Sequence, residues 1–252
     1  MQIDGSVAAV FGGASGLGEA TARRLAAEGA QVVVADLDQE RSGALAAEIG
    51  GVGLTVDVTD EGSVRDVVAA AAAVGPLRIA VNTAGIANPT KLVGREGPTP
   101  LSSFAKVIEV NLLGTINVLR CAAAAMLASE ATADGERGVC IITASIAAFE
   151  GQIGQVAYAA SKAGVVGLTL PVARELAPRG VRAVTIAPGL FETPMMAGLP
   201  QAVQESLAGT VPFPSRLGNP AEYGALVEHI VTNTMINGET IRLDGALRMA
   251  PR

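Results

Sequence analysis

Tryptophan is absent from this chain of 252 residues, and it has only 2 tyrosines and 5 phenylalanines. A surface that reads unpaired bases needs stacking rings, so this poverty disfavours a nucleic-acid module. Positive charge is also short: 18 Lys and Arg face 24 Asp and Glu, a net charge of −6. No basic surplus is left to displace counterions from a phosphate backbone. The two cysteines, Cys121 and Cys140, form no C-x-x-C pair and have no neighbouring histidine, which excludes a familiar zinc site. They read as small buried side chains in a reducing compartment. The one histidine, His229, lies far along the chain from every motif below and reads as a packing residue. The opening stretch MQIDGSVAAVFGG lacks a basic region followed by a long apolar run, and no uninterrupted apolar stretch is long enough to cross a bilayer. The expectation is a cytoplasmic protein with neither membrane nor nucleic acid among its partners.

What the chain does have is aliphatic mass. Half of it is hydrophobic, mostly Ala, Val, Leu and Ile, which suits buried parallel strands and closely packed helices. Short apolar runs at 7–11, 31–35, 53–55, 79–82, 139–143, 182–187 and 240–243 predict strands. Ala-rich, charge-studded stretches at 17–28, 39–49, 61–74, 102–128 and 158–177 predict helices between them. That alternation points to βαβ units and a seven-stranded parallel sheet covered on both faces, an α/β doubly wound fold in one domain spanning 1–252. Two segments break the rhythm: 88–103, rich in Pro and Gly, and 190–217, with four prolines and a Met-Met pair. Both follow predicted strands, where loops border the ligand crevice of such a sheet.

The first strand runs into Gly12-Gly13-Ala14-Ser15-Gly16-Leu17-Gly18 and then a helix. Glycines let the backbone turn tightly and approach a pyrophosphate, whose charge then lies at the helix N-terminus. The second strand leads to Asp36. A carboxylate at that place accepts both ribose hydroxyls of NAD and repels a 2′-phosphate. Leu37 and Ser15 beside it are neutral, and Arg41 reads as a solvent-facing helix residue. Its competing role is a helix N-cap, which Asp38 can also supply. Asp57-Val58 after the third strand and Asn82-Thr83-Ala84-Gly85 after the fourth are further, weaker cofactor contacts.

Tyr158-Ala159-Ala160-Ser161-Lys162 carries the chemistry. A spacing of four places phenol and ammonium on one helix face. A tyrosine titrates near 10 in water, too high for a base at neutral pH. A cation about 4 Å away is worth about 4 kcal/mol at an effective dielectric near 20, or about three pKa units. Lys162, with the positive charge of an oxidised nicotinamide, would bring Tyr158 towards neutrality, fit to take a proton from an alcohol or give one to a ketone. Ser145, just past a predicted strand, can hold the substrate oxygen.

The glycine loop, Asn82 to Gly85, Asn111, Ser145, Tyr158, Lys162 and Pro188-Gly189, in this order and spacing, resemble the short-chain dehydrogenase/reductase family over essentially the whole chain. The resemblance implies a Rossmann-type fold with Tyr158 as acid and base and Ser145 orienting the substrate oxygen. Lys162 would lower the Tyr158 pKa and bind the nicotinamide ribose, and Asn111 would hold a water linking Lys162 to solvent. Pro188, Gly189, Phe191 and Thr193 would border the nicotinamide, with Thr193 on its carboxamide. Phe11 departs from the family, which usually has a turn-bracing threonine before the loop. Segments 144–152, 187–191, 211–218 and 241–246, with the insertion at 88–103, resemble a branch acting on short and branched 3-hydroxyacyl-CoA thioesters and some hydroxysteroids as a homotetramer. Leu190, Phe191, Met195, Met196 and Leu199 would then form an apolar lid, Gln155 would face the substrate, and Lys91, with Arg95, would meet the CoA phosphates. A 3-oxoacyl-carrier-protein reductase shares these motifs but usually takes NADPH, against Asp36. A catalytically idle NAD-binding regulatory protein would have no use for the intact Ser145, Tyr158, Lys162 and Asn111.

Overall fold

Side chains of β1 (Val7–Phe11) alternate between two apolar environments: Val7, Ala9 and Phe11 enter one core, Ala8 and Val10 the other. A strand covered on both faces must be apolar at every position, which is why it reads as a continuous run. The structure is a computed structural model that describes residues 1–198 and 200–251, except for the side chain of Met195. Leu199, assigned above to the lid, lies outside the described residues.

With β1 run β2 (Gln31–Asp36), β3 (Val52–Thr55), β4 (Leu77–Asn82), β7 (Gly138–Thr143), β8 (Val181–Pro188) and β9 (Thr240–Leu243) in one parallel sheet. Its order is β3-β2-β1-β4-β7-β8-β9. The chain winds outward from β1 to β3, returns to β4, and winds the other way. That reversal opens a crevice beyond the carboxyl ends of β1 and β4, the place where such sheets bind ligands. Register aligns those ends: Phe11 pairs Asn82, Asn82 pairs Ile142 and Thr143 pairs Ile186.

Helices α1 (Gly16–Ala27), α2 (Gln39–Ile49) and α9 (Pro220–Thr232) cover one face through Leu25, Leu45 and Val227. On the other, α3 (Glu61–Val74), α5 (Gly114–Ala128) and α6 (Val156–Leu176) bring Val67, Leu119 and Val165. Each such side chain, fully buried, contributes about 1.5–3 kcal/mol. Starts are capped where the sequence provides acceptors: Asp38 takes the Arg41 N–H at 3.0 Å, Asp60 the Ser63 N–H at 2.6 Å, and Asn219 with Glu222 forms a capping box on α9. Gly50 ends α2 in the left-handed region at φ 69°.

The predicted helix 102–128 is three pieces: α4 (Leu101–Ile108), a π turn over Glu109–Leu113, and α5. The insertion holds a hairpin of β5 (Val93–Gly94) and β6 (Gly97–Pro98), and the 190–217 segment holds α7 (Pro194–Ala197) and α8 (Gln201–Ala208). The helical runs 101–128 and 156–179, of mean hydropathy 1.5 and 1.4, are long and apolar enough to cross a bilayer by length and composition. Here they lie on the sheet, with Asn111 and Lys162 buried inside the protein.

Candidate active site

The glycine loop bends from β1 into α1 beneath the crevice. A Cβ on Gly12 would come within 2.6 Å of the Ala84 nitrogen, and one on Gly18 would collide with the Gly12 carbonyl oxygen, so both must be glycine. Ser15 caps α1 by position without spending its hydroxyl on the helix. The first N–H groups of α1 and this hydroxyl are therefore available to a pyrophosphate. Thr83 braces the loop, its hydroxyl lying 3.0 Å from both the Phe11 and the Gly12 carbonyls. That contact resolves the departure at Phe11: the hydroxyl comes from the neighbouring strand end, while the Phe11 ring fills the core. The sequence contained Thr83 inside the Asn82–Gly85 motif, but nothing in its spacing revealed this direction.

Asp36 closes β2. One of its carboxylate oxygens accepts the Ala14 N–H at 3.0 Å, the other the Asp38 N–H at 3.2 Å. Asp38, not Asp36, caps α2, so the competing role is filled by a neighbour and Asp36 keeps lone pairs for a ribose. Leu37 beside it is 71% exposed and Arg41 is exposed on α2. Asp57 accepts the Thr59 N–H and hydroxyl at 2.9 and 2.7 Å, bonds that hold its carboxyl below the usual range. Val58 is buried, its carbonyl taken by Asn117. Asn82 accepts the Ala84 N–H at 3.2 Å and shapes the turn towards Gly85.

A cleft of about 520 Å³ runs from this loop across the strand ends. Gly12, Ser15, Gly16, Leu17, Gly18 and Gly85 line one end, and Ser145, Tyr158, Lys162, Pro188, Gly189, Leu190, Phe191 and Thr193 continue it. Gln155 and Met196 also line it, as expected, together with Gln152, Ile146 and Met249. Gln152 lies at the end of the resembling segment 144–152 but was given no role there, and Met249, which follows the last strand, carried no sequence signal.

Asp36, Asp57, Val58, Asn82, Ala84, Asn111 and Lys91 are not among the residues lining the cleft. Thr90 docks on Gly154 at 2.7 Å, which puts the insertion at the rim, but Lys91 and Arg95 are exposed and outside the cleft lining. Arg95 lies in the turn of a short hairpin, and Lys91 just before it.

The reacting groups converge from separate elements. Ser145 follows β7 and caps the short 3-10 turn Ile146–Ala148, accepting the Ala147 N–H at 3.1 Å. It also lies near enough to the Tyr158 phenol to draw its pKa down against burial. Lys162 is buried, its Nζ 5.8 Å from the centre of the Tyr158 ring and donating to the Thr143 carbonyl at 2.9 Å. Burial lowers the ammonium from 10.5 to about 8. It also pushes the phenol up, and Ser145 opposes this only in part. The expected drop towards neutrality is thus not a property of these side chains alone: burial outweighs a cation that lies beside the ring and not on the hydroxyl. Asn111 lies in the π turn, which breaks the regular ladder at a functional position. Its amide bonds both polar groups of Ile86, at 2.8 and 2.9 Å, and donates to Ser161 at 3.1 Å.

Such a site can hold a dinucleotide along the glycine loop with its reactive ring over Ser145 and Tyr158. The model of the short chain dehydrogenase family matches residues 6–204. The chain is 52% identical to human 3-hydroxyacyl-CoA dehydrogenase type-2 over 254 residues, 99% of this chain and 97% of that protein. It is 51% identical to the enzyme of the same name from Drosophila melanogaster, covering 99% and 100% of the two chains. A crystal structure of 3-hydroxyacyl-CoA dehydrogenase type-2 from Mycobacterium avium superposes with a TM-score of 0.94, at 47% identity, covering 98% of each chain.

Proposed function

Because the chain belongs to the short-chain dehydrogenase family and is an oxidoreductase that uses a nicotinamide cofactor, we propose that it oxidises the 3-hydroxyl of short or branched 3-hydroxyacyl-CoA thioesters with NAD. The observation that carries this is the meeting of Ser145, Tyr158 and Lys162 on the floor of the cleft that also holds the glycine loop. Bound nicotinamide supplies the acceptor for the hydride that leaves the carbinol carbon. Ser145 and Tyr158 grip the substrate oxygen, and Tyr158 takes its proton. Lys162 keeps a positive charge beside the ring, and with the cofactor's own charge in place it opposes the effect of burial on the phenol. Asp36, with no cation next to it in sequence, favours NAD over NADP.

Ile146, Leu190, Met196 and Met249 give the substrate end apolar walls suited to a short acyl chain, and a hydroxysteroid is a second candidate for the same walls. Lys91, at the rim, is the proposed partner for CoA phosphates. A homotetramer is the proposed assembly, for which exposed Leu113, Ile116 and Leu170 on the outer helices offer apolar surface.

The test is a panel of 3-hydroxybutyryl-CoA, 3-hydroxy-2-methylbutyryl-CoA and a 17β-hydroxysteroid, each with NAD⁺ and NADP⁺. Turnover of the thioesters with NAD⁺ is expected. Equal rates with the two cofactors would refute the role of Asp36, and activity on the steroid alone would move the substrate class.

A further inference from the structure

A chain of buried polar side chains runs beneath the cleft, and its proton directions are fixed by elimination. The Thr143 hydroxyl lies 2.7 Å from the Asn82 carbonyl and 2.7 Å from the Tyr223 hydroxyl. A carbonyl only accepts, so Thr143 donates to Asn82 and the Tyr223 phenol must donate to Thr143. The Thr115 hydroxyl likewise donates to the Asn111 carbonyl at 2.7 Å and therefore accepts from the Asn82 amide at 2.9 Å. Asn111 donates to Ser161, and Ser161 to the Tyr158 carbonyl at 2.7 Å. Tyr223, Asn111, Thr115 and Ser161 are all at most 1% exposed.

Tyr223 comes from α9, on the face of the sheet opposite the Tyr158 helix, and does not itself line the cleft, although Thr143, which it bonds, does. The Tyr223 hydroxyl pins this last residue of β7, whose carbonyl is the acceptor recorded for Lys162. Ser145 lies two residues further on. We infer that Tyr223 is a positioning residue: by donating to Thr143 it fixes the strand end from which Lys162 and Ser145 are aimed at Tyr158. The inference rests on reading Tyr158 as the acid and base of a dehydrogenase. Removing the donor leaves a buried Thr143 oxygen short of one partner, and the strand end gains freedom that the reacting groups inherit.

The chain offers a direct readout, because it has 2 tyrosines and no tryptophan. In Tyr223→Phe only Tyr158 remains, so tyrosinate ultraviolet absorbance of the cofactor-free protein titrates that residue alone. In the wild type the first ionisation is also that of Tyr158, since complete burial drives Tyr223 well above it. Burial and Ser145 are the causes acting on Tyr158, and burial alone acts on Lys162, so no other charged group confuses the comparison.

With Ser145 less well aimed, the phenol loses the side-chain contact that opposes burial, while Lys162, lowered to about 8, is already neutral where Tyr158 ionises. The Tyr158 midpoint is expected to rise in Tyr223→Phe, and kcat for alcohol oxidation to fall about fivefold, the effect of one ordinary hydrogen bond, with the ascending limb of the pH-rate profile moved to higher pH. Thr143→Val should reproduce both changes and Thr143→Ser should largely spare them, so the idea survives testing even if Tyr223→Phe folds poorly. A lowered Tm with midpoint, profile and kcat unchanged would overturn it and leave Tyr223 as packing. Absence of turnover by the wild type on every alcohol in the panel would instead overturn the dehydrogenase reading, and the cofactor-free titration would still decide whether Tyr223 acts on Tyr158.

Discussion

The Lys162 ammonium sits 5.8 Å from the centre of the Tyr158 ring and donates to Thr143, not to the phenol hydroxyl. The pair is therefore poised rather than already ionised: charge is near enough to be felt, while burial still keeps the proton on Tyr158. Proton transfer is then gated by what binds above it. Tyr158→Phe removes the group that takes the proton and leaves the ring and its packing. The expected loss in kcat is about 10²- to 10⁴-fold, with cofactor affinity, measured by fluorescence of bound NADH, unchanged within about twofold of the wild type. Retention of more than a tenth of the activity would remove Tyr158 from the chemistry.

Stability of the cofactor-free protein should carry the signature of Lys162. Its folded value, about 8, lies below the ordinary 10.5, so between these values the unfolded chain binds more protons and folding becomes more favourable as pH rises. The burial penalty is fully present below pH 8 and relieved as pH approaches 10.5, by up to roughly 3 kcal/mol. Above about 9 the gain is cancelled, because burial keeps Cys140 protonated in the folded state, and above 10 it is reversed as Tyr158 and Tyr223 follow. Tm measured by calorimetry should rise from pH 8 towards 9, and the rise should vanish in Lys162→Met. A flat profile in the wild type would contradict the buried ammonium.

Asp36 performs two tasks that one substitution can separate. Its carboxylate braces Ala14 and Asp38, and its charge is the feature that disfavours a 2′-phosphate. Asp36→Asn keeps an acceptor for Ala14 but removes the charge. The ratio of kcat/KM for NAD⁺ over NADP⁺ should fall by about 10- to 100-fold, the size of one hydrogen bond to a charged group. An unchanged ratio would mean that selectivity lies elsewhere.

How far these residues were legible depended on the physics each one obeys. The strands were readable because burial on both faces demands unbroken apolar runs, and the glycine loop because close backbone approach excludes Cβ at Gly12 and Gly18. Helix faces gave Tyr158 and Lys162 their common side. The break at Asn111 was not legible: a π turn has no period of its own, and flanking helix hides it. Tyr223, Thr143 and Met249 were invisible because their contacts join positions 80 or more residues apart, or lie past the last strand, where no periodicity remains.

Lys91, the proposed partner for CoA phosphates, lies exposed at the rim of the cleft. An exposed ion pair contributes about 0.2–1 kcal/mol, so Lys91→Ala should raise KM for an acyl-CoA by at most about fivefold. KM for NAD⁺ should not move. An unchanged acyl-CoA KM would end the assignment of Lys91.

The substrate end of the cleft depends on a lash between two distant segments. Arg242, at the end of β9, donates to both oxygens of Glu150 at 2.7 and 3.0 Å, to Asp244 at 2.7 Å and to the Leu247 carbonyl at 2.9 Å, and its guanidinium stacks 5.1 Å from the Phe149 ring. Gln152 and the Ile153 N–H tie the following residues through Ala250 and Pro251, so Met249 is held against the cleft that Ser145 borders. Glu150→Gln turns a charged two-oxygen acceptor into a neutral one and should loosen the tail. The expected result is a several-fold higher KM for the acyl substrate with NAD⁺ affinity retained, matched by Met249→Ala, which deletes the wall itself. Arg242 holds the Glu150 carboxyl below its ordinary 4.5, so the lash is complete above that pH and is lost only as pH falls through the lowered value. At neutral pH the tail is therefore a fixed wall and not a switch. If both substitutions left the ratio of rates on long and short acyl chains untouched, substrate length would have to be set by Leu190 and Met196 instead.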